Sequence, residues 1–293
     1  MKNQLFIILA LTVAVMSSCR QEMPRTFERS TTVFDIGNRR YQVYLPASYY
    51  NTKKDYPVMY MMDGQNLFVD SLSYSGHAWR TDQILDSLAT ANAIEEHIIV
   101  GIDNAMQTRF PEYMPEIPVR NLRQSYQDSL ESFVGRKVYA DTFLLFLTEQ
   151  LKPLVDGEFR TKKGTESTAI AGSSMGGLIS MYALCEYPNV FGKAACFSTH
   201  WPIAMDDTSP DLPASLLKYF ADHIPDGKRW YFDYGTEGLD QYYERYQVQA
   251  DSILLANGYE EGKDWITKKF EGHDHKEKYW YERSGEAFEF LLK

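Results

Sequence analysis

Ser174 lies at the centre of Gly172-Ser173-Ser174-Met175-Gly176, a Gly-x-Ser-x-Gly arrangement. A serine hydroxyl is a weak nucleophile near neutral pH. It needs a base to take its proton and an acid to orient that base. The neighbouring Ser173 lacks a glycine two residues away on each side, so Ser174 is the candidate nucleophile. Downstream lie His200, His223, His273 and His275, and the short run Gly235-Thr236-Glu237-Gly238-Leu239-Asp240 carries two carboxylates. A hydroxyl, an imidazole and a carboxylate in one chain are the residue types of nucleophilic acyl chemistry.

The elements around these residues are strands alternating with helices. Thr31 to Gly37 and Arg39 to Pro46 alternate in polarity and meet at Asn38, as in an antiparallel hairpin. Tyr56 to Met62 and His97 to Asp103 are dense apolar runs, the pattern of central strands buried on both faces. Further strands are expected at Thr168 to Gly172, Lys193 to Ser198, Trp230 to Tyr234 and Trp265 to Phe270. Helical spacing marks Trp79 to Ala91, Tyr139 to Val155, Met175 to Tyr187, Ser215 to His223, Leu239 to Asn257 and Tyr279 to Leu292. This alternation predicts an α/β domain with a mostly parallel sheet and helices on both faces. Met106 to Arg136 is the one long irregular stretch, expected to be a lid or binding loop at 106–136.

In this frame Ser174 occupies a tight turn from a strand into a helix. Side chains two residues either side of it would collide, which is why glycines stand there. The amide of Met175 then points into the same space, where a helix N-terminus favours negative charge. On α/β-hydrolase sheets the chain order is serine, acid, histidine. The base belongs after the last strand, which leaves His273 and His275. The acid belongs after Trp230 to Tyr234. Glu237, nearer the strand end, is favoured, and Asp240 is the alternative, its ordinary reading being a helix N-cap. Ser198-Thr199-His200-Trp201 follows a strand on the same side of the sheet, so His200 and Trp201 are candidate substrate-binding residues.

Composition bounds the rest. The 293 residues are 44% hydrophobic, with 40 acidic against 30 basic side chains and a formal net charge of −10, which suits a folded domain and not a nucleic-acid-binding surface. Three cysteines exclude a disulfide scaffold and a four-cysteine zinc site. His-Glu-x-x-His, phosphate-loop and dinucleotide motifs are absent, so neither metal nor cofactor is expected. Residues 1–18 read as a secretory signal: Lys2, then an apolar run from Leu5 to Met16, then two serines. Val15-Met16-Ser17-Ser18-Cys19 resembles a bacterial lipobox, which makes Cys19 the expected lipidation site, residues 19–30 a tether and 31–293 a single domain. By resemblance to bacterial lipoproteins, Arg20 at the next position favours the outer membrane of a bacterial cell envelope.

Several runs resemble the esterase D-like "putative esterase" family of α/β-hydrolases. They are Tyr56 to Gly64, Ile99 to Asp103, Arg109 with Glu112-Tyr113, and Gly172 to Gly177, so the resemblance extends from about Tyr41 to the C-terminus. The family includes feruloyl, acetyl-xylan and siderophore esterases and mycolyltransferases. The resemblance implies a serine carboxylic-ester hydrolase, acting through an acyl-enzyme on a small-molecule or polysaccharide ester. It selects His275 as base, because the family's histidine commonly precedes a tryptophan by five positions, as His275 precedes Trp280. It also implies that the backbone amide of Gln65, after Asp63-Gly64, joins Met175 as oxyanion donor. The family's acid loop usually reads Gly-Thr-x-Asp/Glu, and here the fourth position is Gly238. Carbohydrate-linked acyl or feruloyl esters are the expected substrates. The alternatives are a siderophore esterase, an acyltransferase, or a non-catalytic surface binding lipoprotein. The last would be expected to lack one of the three catalytic types, and all three are present in order.

Overall fold

The computed structural model describes residues 31–36, 39–202 and 211–293. The signal, the tether and Cys19 lie outside the described residues. Eight strands form one sheet: β1 Thr31–Ile36, β2 Arg39–Tyr44, β3 Val58–Met62, β4 Ile98–Ile102, β5 Thr168–Ser173, β6 Lys193–Phe197, β7 Arg229–Gly235 and β8 Trp265–Phe270. Their spatial order is β1-β2-β4-β3-β5-β6-β7-β8. The pairs β1/β2 and β2/β4 are antiparallel, and every other pair is parallel. The helices are α1 Thr81–Thr90, α2 Arg109–Tyr113, α3 Glu116–Arg120, α4 Gln124–Val134, α5 Ala140–Phe146, α6 Lys152–Glu158, α7 Met175–Glu186, α8 Asp211–His223, α9 Glu244–Ala256 and α10 Glu277–Leu292.

Successive side chains of a strand point to opposite faces, and the central strands are apolar on both. Val58, Tyr60 and Met62 of β3 face a core with Val100, Ile170, Leu178 and Trp230. Met59 and Met61 face the other, with Ile99, Ala171, Trp280 and Phe288. Helices α1 and α10 cover the second face and the remaining long helices cover the first.

Two expectations change. The helical stretch from Tyr139 runs on past Val155 but is not uniform: a π-helical turn, Leu147–Leu151, separates α5 from α6. Pro153 has no N–H to donate one turn back, and an extra residue in the turn accommodates that gap. Residues 106–136 are not irregular. They fold as a 3-10 turn, Met106–Thr108, followed by α2, α3 and α4.

The parallel strands end on one side of the sheet. Asp63 follows β3, Ser174 follows β5, Ser198 follows β6, Asp240 follows β7 and His275 follows β8. That carboxyl edge is where open α/β sheets hold their ligands.

Candidate active site

β5 carries Thr168 to Ser173 straight into α7, with Ser174 at the junction in a positive-φ conformation (φ 58°, ψ −123°). Few non-glycine residues adopt such a backbone, and it costs about 1–3 kcal/mol unless the surroundings impose it. Here they do. The Ser174 amide donates to the Phe197 carbonyl at 2.9 Å, and the Ser174 carbonyl accepts from Leu178 at 3.0 Å and His200 at 3.2 Å. The glycines are steric necessities: a Cβ on Gly172 would stand 2.6 Å from the Gly176 backbone, and one on Gly176 would stand 3.1 Å from an Asp63 carboxylate oxygen.

Ser174 and His275 line one cavity of about 740 Å³, together with Gln65, Asn66, Arg109 and Trp280. His275 Nδ1 lies 2.6 Å from Asp240 Oδ1. Asp240 is fully buried and its second oxygen accepts from the Ser198 hydroxyl and the Gly235 amide, each at 2.7 Å. Arg283, also buried, stands 3.5 Å from the same oxygen and pairs with Asp233 at 3.0 Å. Burial alone would raise the Asp240 carboxyl. The His275 hydrogen bond, helped by Ser198 and Arg283, instead holds it below its ordinary value. A buried carboxylate is thus kept ionised beside the imidazole. An ionised carboxylate can only accept, so this contact places a proton on Nδ1 of the imidazole.

Glu237 does not take part in this contact. It is exposed on the acid loop, and its backbone amide donates to the His273 carbonyl at 3.0 Å. The preference for Glu237 is therefore corrected: the chain passes Glu237, turns at Gly238 (φ 55°), and only then directs a carboxylate inward at Asp240. His273 also stays out of the cavity, its ring packed between Phe270 and Tyr279. Its carbonyl receives both Thr236 and Glu237 amides and so ties the two loops together.

Trp201 is a core residue, not a substrate contact. It is fully buried, bonded through Nε1 to Gln247 Oε1 at 3.1 Å and packed on Phe220 and Phe232. His200 is buried beside the site with Nδ1 2.6 Å from the Tyr243 hydroxyl, its ring 6.5 Å from that of His275. It does not line the cavity as a substrate contact would. His77 lines the cavity, whereas Trp79 is buried against Trp280 and Phe197 and Tyr113 beneath Arg109.

Gln65 sits in a 3-10 turn, Gly64–Asn66, directly after β3, and its side-chain oxygen accepts from the Asn104 amide at 3.2 Å. Asp63 before it is left-handed (φ 57°) and held by Arg109 through two hydrogen bonds of 2.7 Å and by Asn104 at 2.6 Å. A Cβ on Gly64 would lie 2.5 Å from the Gly101 backbone, so only glycine lets the turn reach the cavity. Met175 is the first residue of α7, where main-chain amides have no intrahelical acceptor. Among the described residues no cluster of His, Cys, Asp or Glu could hold a metal ion. Cys185 and Cys196 are buried free thiols.

Ser198 also belongs to the Asp240 network, though no motif in the sequence marks it. Its hydroxyl donates to Asp240 and accepts from Trp280 Nε1 at 3.0 Å and from Arg283, so it is saturated. A serine just beyond a strand on the catalytic side was its only sequence signal.

The sequence profile of the family described as "Putative esterase" matches residues 36–283. The chain belongs to this esterase family. Its class of activity is carboxylic-ester hydrolysis, carried on an α/β-hydrolase fold. The uncharacterized protein YbbA of Bacillus subtilis is 26% identical over 262 residues, covering 87% of this chain and 93% of its own. Two solved structures share the fold. A ferulic acid esterase superposes with a TM-score of 0.64 at 18% identity, covering 89% of this chain and 96% of the other. An IroE-like serine hydrolase from Shewanella oneidensis gives 0.66 at 20% identity, covering 89% and 80%.

Proposed function

We propose that this esterase works through an acyl-enzyme on Ser174, with His275 as general base and Asp240 as the acid that orients it. The carrying observation is the 2.6 Å contact between His275 Nδ1 and a buried, ionised Asp240, with His275 lining the same cavity as the strained Ser174. His275 Nε2 takes the hydroxyl proton as Ser174 Oγ attacks the acyl carbon. The carbonyl oxygen becomes an oxyanion, for which the backbone amides of Met175 and Gln65 are the proposed donors. Collapse breaks the bond to the alcohol, which leaves with the proton from His275. Water then enters by the reverse route: His275 deprotonates it, it attacks the acyl carbon, and Ser174 departs with the proton restored.

The proposed substrates are feruloyl or other acyl esters of carbohydrates. A cavity of about 740 Å³ has room for an aromatic acyl group with part of a sugar. Its wall supports that reading by offering Trp280 and Tyr74 as flat apolar surfaces and Asn66, Glu277 and Arg109 as polar partners. Cys19 is the proposed lipid anchor that holds the domain on a bacterial outer membrane.

Hydrolysis of p-nitrophenyl esters, methyl ferulate, acetylated xylan and a siderophore lactone, each by wild type and Ser174→Ala, tests the reading. Preference for methyl ferulate or acetylated xylan supports it. Preference for the siderophore lactone would reassign the substrate, and product formed only with an added alcohol acceptor would reassign the reaction to acyl transfer.

A further inference from the structure

Glu277 is the second residue beyond His275 and the first of α10. A glutamate in the first turn of a helix ordinarily points to solvent, where its charge favours the positive end of the helix dipole. This one turns inward. It is only 7% exposed, and it lines the same cavity as Ser174 and His275. Among the described residues its side chain has one hydrogen bond, donated by Asn66 Nδ2 to Oε1 at 3.4 Å. The orientation of that amide is set from its other end, since Asn66 Oδ1 accepts the Tyr74 main-chain amide at 2.9 Å. A carboxylate has about four acceptor positions. A single long bond leaves most of them unfilled, and Oε2 has no partner among the described residues.

Nor does a cation of the described residues pair with it. The basic side chains lining the cavity are Arg109, Lys276 and Lys278, and each is paired elsewhere: Arg109 with Asp63 at 2.7 Å, Lys276 with Asp274, and Lys278 with Glu282 at 3.9 Å. A buried carboxylate without a cation needs hydrogen-bond donors from whatever fills the cavity. The charges around it select the donor. Asp63 and Glu277 line the cavity against those three basic residues, so the wall as a whole does not attract a cation, whereas an anion would meet Glu277 directly. A neutral group with several donors fits both conditions. Adjacent hydroxyls of a sugar offer two O–H donors to one carboxylate.

The position also assigns the half of the substrate. In the reaction above His275 hands its proton to the departing alcohol, and Glu277 lines the cavity two residues further on, beside that step. We propose that Glu277 determines specificity for the alcohol half of the ester: with Oε1 held by Asn66, its carboxylate accepts hydrogen bonds from the hydroxyls of a carbohydrate alcohol. This rests on the reading of the substrate as a carbohydrate ester, and it names the side chain that recognises the carbohydrate.

The test uses three ferulate esters that share the acyl group and differ in the alcohol: methanol, arabinose joined through its primary hydroxyl, and choline. Values of kcat and KM are measured for wild type, Glu277→Gln and Glu277→Asp, with a thermal melt for each. Methyl arabinofuranoside is added as a competitive inhibitor of methyl ferulate hydrolysis. Wild type should prefer the arabinose ester to the methyl ester by about tenfold or more. Glu277→Gln should lower that preference about tenfold, mainly through KM, and weaken inhibition by the glycoside by a similar factor. The preference is a ratio on one enzyme, so a general loss of activity or of folded protein cancels from it. Folded Glu277→Gln with the wild-type preference would overturn the proposal. If that variant does not fold, the same result in Glu277→Asp, whose carboxylate is withdrawn by one methylene, would overturn it. Wild type that prefers the choline ester, with the preference lost in Glu277→Gln, would overturn it in favour of a cation site. Wild type with no preference for the arabinose ester would overturn the carbohydrate reading itself, and this role with it.

Discussion

The ring of His275 stands edge-on against Trp280, five residues further along the chain, with centroids 4.9 Å apart. Trp280 lies in the first turns of α10, and its indole N–H reaches Ser198, which in turn holds Asp240. One tryptophan therefore supports the imidazole through its ring and the acid through its nitrogen. The five-residue spacing is the distance the chain needs to leave the loop after β8 and enter the helix that packs beneath it.

Asp240→Asn should lower kcat by about 10⁴-fold, since an amide at this position favours the wrong imidazole tautomer. Glu237→Ala should leave kcat within about twofold of wild type, as expected for an exposed side chain. Steady-state kinetics on one p-nitrophenyl ester measures both. The reverse ranking would return the acid to Glu237.

His275→Ala should lower turnover by about 10³-fold or more, as loss of a general base does. His273→Ala removes a ring packed between Phe270 and Tyr279 but keeps the carbonyl that holds the acid loop, so its loss should stay below about tenfold. A dead His273→Ala beside an active His275→Ala would invert the assignment.

Buried beside Arg283, the Asp233 carboxyl is nevertheless pushed up by burial to about 6. An unfolded Asp titrates near about 3.9, so the folded chain holds this proton more tightly. Its contribution to stability therefore grows as the pH falls from about 6 toward 4 and is lost as the pH rises through 6. Melting temperatures of wild type and Asp233→Asn across that range should diverge, the variant lacking this slope. Parallel profiles would contradict the titration.

Cys19→Ser should shift the protein from the membrane to the soluble fraction on cell fractionation. Unchanged partitioning with membranes would remove the lipid anchor from the account.

The sheet was legible because β3 and β4 are unbroken apolar runs, a pattern that two covered faces demand. The Gly-x-Ser-x-Gly turn was legible because the Gly172 and Gly176 backbones nearly touch, and that steric demand is written directly in the sequence. The carboxylate that meets His275 was not. Distance along the chain favours Glu237, whereas the turn at Gly238, the buried Gly235 amide and Arg283 bring Asp240 to His275, and they come from separate parts of the fold. Trp201 looked like a cavity residue from its place after β6. Its partner Gln247 lies on a helix 46 residues away, so its burial could not be read locally. Residues 106–136 looked irregular because Pro111, Pro115 and Pro118 interrupt the helical period, and α2 and α3 are only five residues each.

The central claim is that Ser174 is the nucleophile. Its most direct measurement is p-nitrophenyl acetate hydrolysis by Ser174→Ala, with a thermal melt to show that the fold is kept and with Ser173→Ala as the control. The account predicts turnover reduced to the background rate in Ser174→Ala and a much milder loss in Ser173→Ala. Folded Ser174→Ala with near-wild-type turnover would contradict it.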